Sequence, residues 1–381
     1  MNWLTGGAQG EAKRLITQLA DSTKRDAAAR ELIKLGADSV PPLIDALQTQ
    51  DLGLLLYYQQ ILARIPSATS ALTKTLATAH PIIRARAAEI FSISKDKNAI
   101  PALMDAIKGE YFTVRSRAAL ALGNIGDAQV IPKLILLLKD REGEVRAAAC
   151  AALGKFRDPS TFDEIANILL DDMKIEVRQS AALALGETKH PAAIPYLMEA
   201  LRDSFWWFER EQAIADLLSA IEKMGEPVVE PLIEALGNQE GTVRRFAAMV
   251  LGNLRDPRAL EELGMALYDL HHEVGKAAAD ALAKFGAQAL DVLIESIHHP
   301  EVGIRENAVA ALGKIQNLRV APILAEMLND PDRDIQKLAV HSLGQVNDER
   351  ALSALQEVAA NRADRELAAM AKKILELKSQ I

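Results

Sequence analysis

Apolar positions along the chain fall into two alternating patterns, both at helical spacing. The longer reads "TVRSRAALALGNIGD" around residue 114 and returns as "EVRAAACAALGKFRD" from 144, "EVRQSAALALGETKH" from 176, "TVRRFAAMVLGNLRD" from 242 and "GIRENAVAALGKIQN" from 303. Its Val or Ile anchor, alanine pair and leucine lie on one face of a helix, and the small residues permit close approach of a neighbour. The anchor stands at Val114, Val145, Val177, Val243, Val274, Ile304 and Ile335, with Glu209 taking the place once. The second pattern is "AIPALMDAI" at 99–107, "VIPKLILLL" at 130–138, "AIPYLMEAL" at 193–201 and "VVEPLIEAL" at 228–236. It predicts a shorter helix with proline in its first turn, where the missing N–H has no intrahelical partner to lose.

The anchors recur about every 31 residues, as from Val114 to Val145, and a period of that length means a solenoid. From "EAKRLITQLAD" at 11 to "ELAAMAKKILEL" at 366, about twelve helix pairs are expected in one uninterrupted array over residues 1–381. Degenerate repeats occupy 1–95, regular ones 96–348, and a capping pair 349–381. Each pair buries its faces only against its neighbours, so stability is a sum of local interfaces. Asp127, Asp158 and Asp256 follow the longer helix in a tight turn, where Asp suits capping; Asp140, Asp203 and Asp330 close the shorter one.

The unit "LIxALxD...VRxxAAxALGxIGD" resembles the HEAT repeat, specifically the short variety similar to phycobilisome-lyase HEAT-like repeats. The resemblance covers nearly the whole chain and is strongest from about 97 to 346. It implies an all-α, right-handed alpha-alpha superhelix with the shorter helices on the convex side and the "VR" helices lining the concave side. It also implies that Arg84, Arg115, Arg146, Arg178, Arg210, Arg244 and Arg305 form a ladder with turn aspartates of adjacent repeats, fixing the repeat-to-repeat angle. Bidentate guanidinium geometry suits that role.

Charge changes the picture of ligands. A net charge of −8 sets the whole-molecule field against phosphate backbones and anionic membranes. Arg84, Arg86, Arg115, Arg117 and Arg146 make the early inner surface locally basic, which keeps nucleic acid as an alternative ligand against that field. Cys150 is the single cysteine, so neither an intramolecular disulfide nor a cysteine-rich metal site is expected. The start, "MNWLTGGAQGEAKR", lacks the apolar core of a signal peptide, and no stretch reaches the roughly 18 apolar residues of a membrane span; a cytoplasmic protein is expected.

Candidate chemistry is sparse. In one HEAT-like enzyme, deoxyhypusine hydroxylase, repeated His-Glu dipeptides on inner helices build a di-iron site; this chain has a single such dipeptide, His272-Glu273, too few ligands for two irons. The doublets His271-His272 and His298-His299 fall near the same turn of successive repeats without a complete metal-ligand set. Asp330, Asp332 and Asp334 alternate as in a calcium loop, but the required glycine is absent and His341 stands where the bidentate Glu belongs. "GGAQG" at 6–10 follows no strand and reads as a frayed start rather than a phosphate cradle. No catalytic, cofactor or metal residue is assigned.

Positions two and three after each anchor vary from repeat to repeat while the core columns stay fixed. Arg86, Arg117, Gln179, Gln212, Arg245 and Phe246 among them make a mixed, lightly basic, partly apolar surface that suits a protein partner better than a duplex. "DSFWWFER" at 203–210 concentrates aromatics in a chain only 4% aromatic, in the turn before an irregular inner helix where Leu218 takes the usual glycine position. Adjacent Trp206 and Trp207 cannot both point into one core, so packing and a partner anchor both stay open. The expected function is a non-catalytic scaffold or adaptor binding an unidentified protein along the concave face. The resemblance also implies an alternative, a bilin-lyase-like chaperone of chromophore attachment, and nucleic-acid binding is the second alternative.

Overall fold

The computed structural model describes residues 2–207 and 211–379, without the side chains of residues 2–6, 205, 207, 211 and 212. Every regular element in the described residues is helical. Up to residue 223 the α-helices are α1 (Asn2–Gln18), α2 (Arg25–Leu35), α3 (Val40–Ala46), α4 (Leu52–Ala63), α5 (Ala68–Thr78), α6 (Pro81–Ser94), α7 (Ile100–Ala106), α8 (Phe112–Ile125), α9 (Ile131–Leu137), α10 (Gly143–Gly154), α11 (Phe162–Asp171), α12 (Ile175–Thr188), α13 (Ile194–Arg202) and α14 (Glu211–Glu222). Beyond it lie α15 (Val229–Leu236), α16 (Gly241–Leu254), α17 (Leu260–Ala266), α18 (His272–Phe285), α19 (Leu290–Ser296), α20 (Val302–Gly313), α21 (Val320–Glu326), α22 (Arg333–Gln345), α23 (Glu349–Ala360) and α24 (Arg365–Lys378). None of the described helices is long and apolar enough to cross a membrane. The "GGAQG" stretch, expected to fray, is part of α1.

Two compact units divide the chain: Met1–Ala200 with Glu209–Lys223, and Leu201–Phe208 with Met224–Ile381. In the first, the long helices α6, α8, α10, α12 and α14 pack in succession, while α5, α7, α9 and α11 each pack against the long helix that follows. In the second, α16, α18, α20, α22 and α24 form the long-helix layer, backed by α15, α17, α19, α21 and α23. The core lies between the layers. Leu103 and Leu134 from short helices are buried with Val114, Ala118 and Leu122 from a long one. Cys150 is part of this core, and burial pushes its thiol pKa up.

The short helices begin differently from the sequence pattern. A single 3-10 turn precedes α7, α9, α11 and α17, and the carboxylates of Asp96, Asp127, Asp158 and Asp256 each accept the N–H two residues on. These carboxylates satisfy a donor the turn would otherwise leave open.

Two devices join successive long helices. The first is steric. A Cβ on Gly123 would stand 2.6 Å from Cα of Ala152, and one on Gly252 would stand 2.6 Å from Cα of Ala281. Gly154 and Gly186 abut Ala184 and Ala220 in the same way, and Gly313 abuts Ser342. Only a residue without a side chain allows backbones this close. The pairing also corrects the register of α14. Gly186 meets Ala220 where Gly154 meets Ala184, two residues before the next glycine, so Glu222 rather than Leu218 holds the glycine position. Leu218 is buried one turn earlier.

The second device is ionic. Arg115 donates two hydrogen bonds to Asp140, both 2.8 Å, and its third nitrogen binds the carbonyls of Gly109 and Glu110. Asp140 in turn accepts the N–H of Glu142, so one carboxylate shapes its own turn and receives the preceding repeat's guanidinium. Arg146–Asp172, Arg244–Asp269 and Arg305–Asp330 repeat the arrangement. In every case the acceptor lies six residues before the next arginine position. Arg84 donates to the Leu76 carbonyl, and Gly109 stands where its aspartate would be. Arg178 donates to the Asp172 carbonyl, and Arg210 lies outside the described residues. Burial alone would raise the pKa of Asp140, but the Arg115 guanidinium and the Glu142 N–H outweigh it and hold the carboxyl below its ordinary value. Asp172 and Asp330 are held low by the same balance. At Asp269 the Arg244 hydrogen bond is the leading cause.

Gly252→Ala is expected to lower stability by about 1–3 kcal/mol through overpacking. Gly237→Ala, whose Cβ would meet nothing nearer than 3.5 Å, should stay within about 0.5 kcal/mol; urea denaturation followed by circular dichroism measures both. Asp140→Ala, which strands the nearly buried Arg115, should cost about 3–5 kcal/mol. These carboxyls have folded pKa values below their unfolded values near ~3.9, so their stabilisation is complete above that pH and is lost as pH falls through the folded values. Urea midpoints should therefore fall steeply below about pH 4, and less steeply in Asp140→Asn.

Candidate functional site

Over α16, α18 and α20 the free face is set by residues two, six and ten after the anchor, one stripe at i, i+4 and i+8. In the second unit these are Arg245, Met249 and Asn253 on α16, Lys276, Asp280 and Lys284 on α18, and Glu306, Ala310 and Lys314 on α20. All are exposed or half-buried. The residue three after the anchor shares the anchor's side of the helix, and there Phe246, Ala277 and Asn307 are buried. This corrects the expectation that Phe246 faces a partner. Its ring instead carries the Arg245 guanidinium, 4.7 Å from the centroid, and so orients a residue that does face outward.

An open groove of about 580 Å³ runs over α16 and α18 to the end of α20, with Arg245, Met249, Lys276, Ala283, Lys284 and Lys314 among its walls. α18 departs from the repeat pattern on its far side. Gly275 stands where the ladder arginine belongs, and His299 stands at the corresponding aspartate position. Ala283 replaces the notch glycine, and it is half-exposed where the equivalent Gly252 and Gly313 are buried. Neither device that draws long helices together is present between α18 and α20, whereas the groove lies mainly over α16 and α18, a junction that has both the Arg244–Asp269 rung and the Gly252–Ala281 notch.

The electrostatics of the groove are one-sided. Lys314 pairs with Asp280 at 2.5 Å, and Lys284 donates to the neutral Asn253 side chain at 2.5 Å. Arg245 and Lys276 have no carboxylate within ion-pair distance among the described residues. The exposed thioether of Met249 adds apolar surface beside them.

Other expected partner-binding residues are placed differently. Arg86 donates to the carbonyls of Leu47 and Thr49, closing the end of α3. Arg117 pairs with Glu89 at 3.0 Å and stays exposed, and Gln179 is half-buried against Asp216 at 2.7 Å. Trp206 is completely buried and its Nε1 has no hydrogen-bond partner among the described residues, so this ring packs and cannot anchor a partner. The side chains of Trp207 and Gln212 lie outside the described residues. Met249, Asn253, Lys284 and Lys314 were not anticipated, although continuing the helical spacing from Arg245 and Lys276 points to the same stripe.

The histidine doublets serve turns. His271 Nδ1 lies 3.1 Å from the Arg244 guanidinium, and His299 Nδ1 accepts the Glu301 N–H while its ring lies against Tyr268. Asp332 caps α22 and Asp330 receives Arg305. Among the described residues, no three His, Cys, Asp or Glu side chains converge as a metal site would require.

Two family models match the chain. HEAT repeats match at residues 68–142, 131–217, 229–305 and 290–376, and the PBS lyase HEAT-like repeat at 24–49. No curated protein shows significant similarity along its sequence. Among solved structures, Kap121p bound to Nup53p is 14% identical at a TM-score of 0.55, covering 96% of this chain and 49% of that one, so the chain spans about half of the karyopherin's length. Human deoxyhypusine hydroxylase is 26% identical over 65% of this chain and 95% of its own, with a TM-score of 0.30. The CpcE and CpcF complex of phycocyanin lyase from Nostoc sp. is 21% identical over 59% and 92%, with a TM-score of 0.36. With the repeat model matching most of its length and every described element helical, the chain belongs to the HEAT-repeat family of α-solenoid proteins.

Proposed function

We propose that the protein is a non-catalytic scaffold or adaptor that binds a partner protein on the free face of its long helices, the side the family resemblance makes concave. The observation that carries this reading is the groove over α16, α18 and α20, where exposed Met249 and the cations Arg245 and Lys276 stand without a carboxylate partner. A partly apolar surface with unsatisfied charge is the kind that gains from covering by a protein segment. A HEAT-type fold holds protein partners in Kap121p, as its complexes with Nup53p and Pho4p record.

Placing a photo-crosslinking p-benzoylphenylalanine at Lys276 or Glu306, and separately at Lys133 or Leu136 on the short-helix side, tests the reading in lysate from the native cell. Discrete crosslinked bands are expected from the first pair and not from the second. Crosslinks from the short-helix positions alone would remove it.

A further inference from the structure

The groove over α16, α18 and α20 carries more chemical information than a general docking face. Its walls hold four cations, Arg245, Lys276, Lys284 and Lys314, against two carboxylates, Glu273 and Asp280. The whole chain has the opposite balance, with 52 acidic residues against 44 basic ones. One carboxylate is already committed, since Asp280 pairs with Lys314. Three cations thus remain without a carboxylate partner among the described residues, and two of them, Lys276 and Lys284, stand on α18 at either end of a stretch walled by Ala277, Ala281 and, from α16, Met249. Eight residues of helix separate these two lysines, a rise of about 12 Å. An extended chain covers that length in about four residues.

We infer that the groove receives an extended acidic peptide segment, with carboxylates about four residues apart flanking an aliphatic side chain that rests on the exposed Met249. Carboxylates on the segment meet Lys276 and Lys284, and the Arg245 guanidinium, held over the Phe246 ring, offers its free edge to a third. The cationic surface is local. The position equivalent to Arg245 and Lys276 on α20 is Glu306, and on α22 Lys337 pairs with Glu366 at 2.9 Å. A duplex needs a basic stripe continued over successive repeats, whereas a short segment needs only this one. The room lies over α16 and α18, whose residues make all of the groove's walls but Lys314.

This inference rests on the proposed function and narrows its partner class. Fluorescence anisotropy with a labelled peptide of the pattern Glu-Ala-Leu-Ala-Glu, repeated once, tests it against three probes: the same peptide with Gln for Glu, an oligo-glutamate of equal length, and a DNA duplex of about 20 base pairs. The acidic leucine peptide should bind saturably and weaken about tenfold or more between about 50 and 300 mM NaCl. The Gln peptide and the oligo-glutamate should each bind about tenfold more weakly, one lacking charge and the other the aliphatic contact. Arg245→Glu with Lys276→Glu should cost the peptide at least about tenfold, while Lys133→Glu on α9 leaves it unchanged; thermal melts confirm that the variants fold. Equal binding of the Gln peptide, indifference to the double variant, tighter binding of the duplex or no saturable binding of the acidic peptide would each overturn the acidic class. If the peptide fails while crosslinks at Lys276 and Glu306 persist, the scaffold reading stands with a different partner chemistry; if those crosslinks fail too, both fall.

Discussion

One carboxylate doing two jobs underlies the regular part of this molecule. Asp140, Asp172, Asp269 and Asp330 each accept the N–H two residues ahead, which shapes the turn before a long helix, and each receives two hydrogen bonds from the arginine of the preceding repeat. A turn that was only well shaped would leave its repeat free to rotate on its neighbour. A bidentate pair fixes distance and orientation together, and the remaining guanidinium nitrogen ties the same arginine to the start of its own helix. Desolvation opposes the charges, so the pair is favourable because both carboxylate oxygens and the guanidinium nitrogens find partners.

The ionic rung works with the steric notch. Gly123 against Ala152 and Gly252 against Ala281 bring long-helix backbones to contact distance, which side chains at those positions would forbid. α18 gives up both devices toward α20, through Gly275 and Ala283, while the groove with its exposed stripe of cations lies over α16 and α18, where both are present. Rung, notch and groove thus coexist at one junction, because Arg244 and Gly252 occupy other positions of α16 than the exposed or half-buried Arg245, Met249 and Asn253.

Much of this was legible in the chain. The period of the anchors, the proline-led short helices and the turn aspartates follow from local rules that operate within one repeat, so a single unit contains the information. Phe246 shows where such reasoning stops. It lies among variable positions, yet three residues from Val243 it shares the buried side of α16. Leu218 shows a second limit. Counting from Glu209 places it at the notch, whereas Ala220 is the residue that meets Gly186, because α14 lies one turn out of register. An offset of one turn preserves the helical pattern and is invisible to it.

Sequence by itself determined the fold class, the repeat unit, the column of arginines, which the family resemblance implied to be a ladder, and the candidate status of Arg245, since each depends on spacing along one helix or on charge at a fixed interval. Tertiary structure decided which carboxylate each arginine meets, that Trp206 is core, and that the groove lies over α16 and α18. The physical reason is that those outcomes depend on the separation of neighbouring helices, which is set jointly by residues of two repeats across their interface and by neither repeat alone.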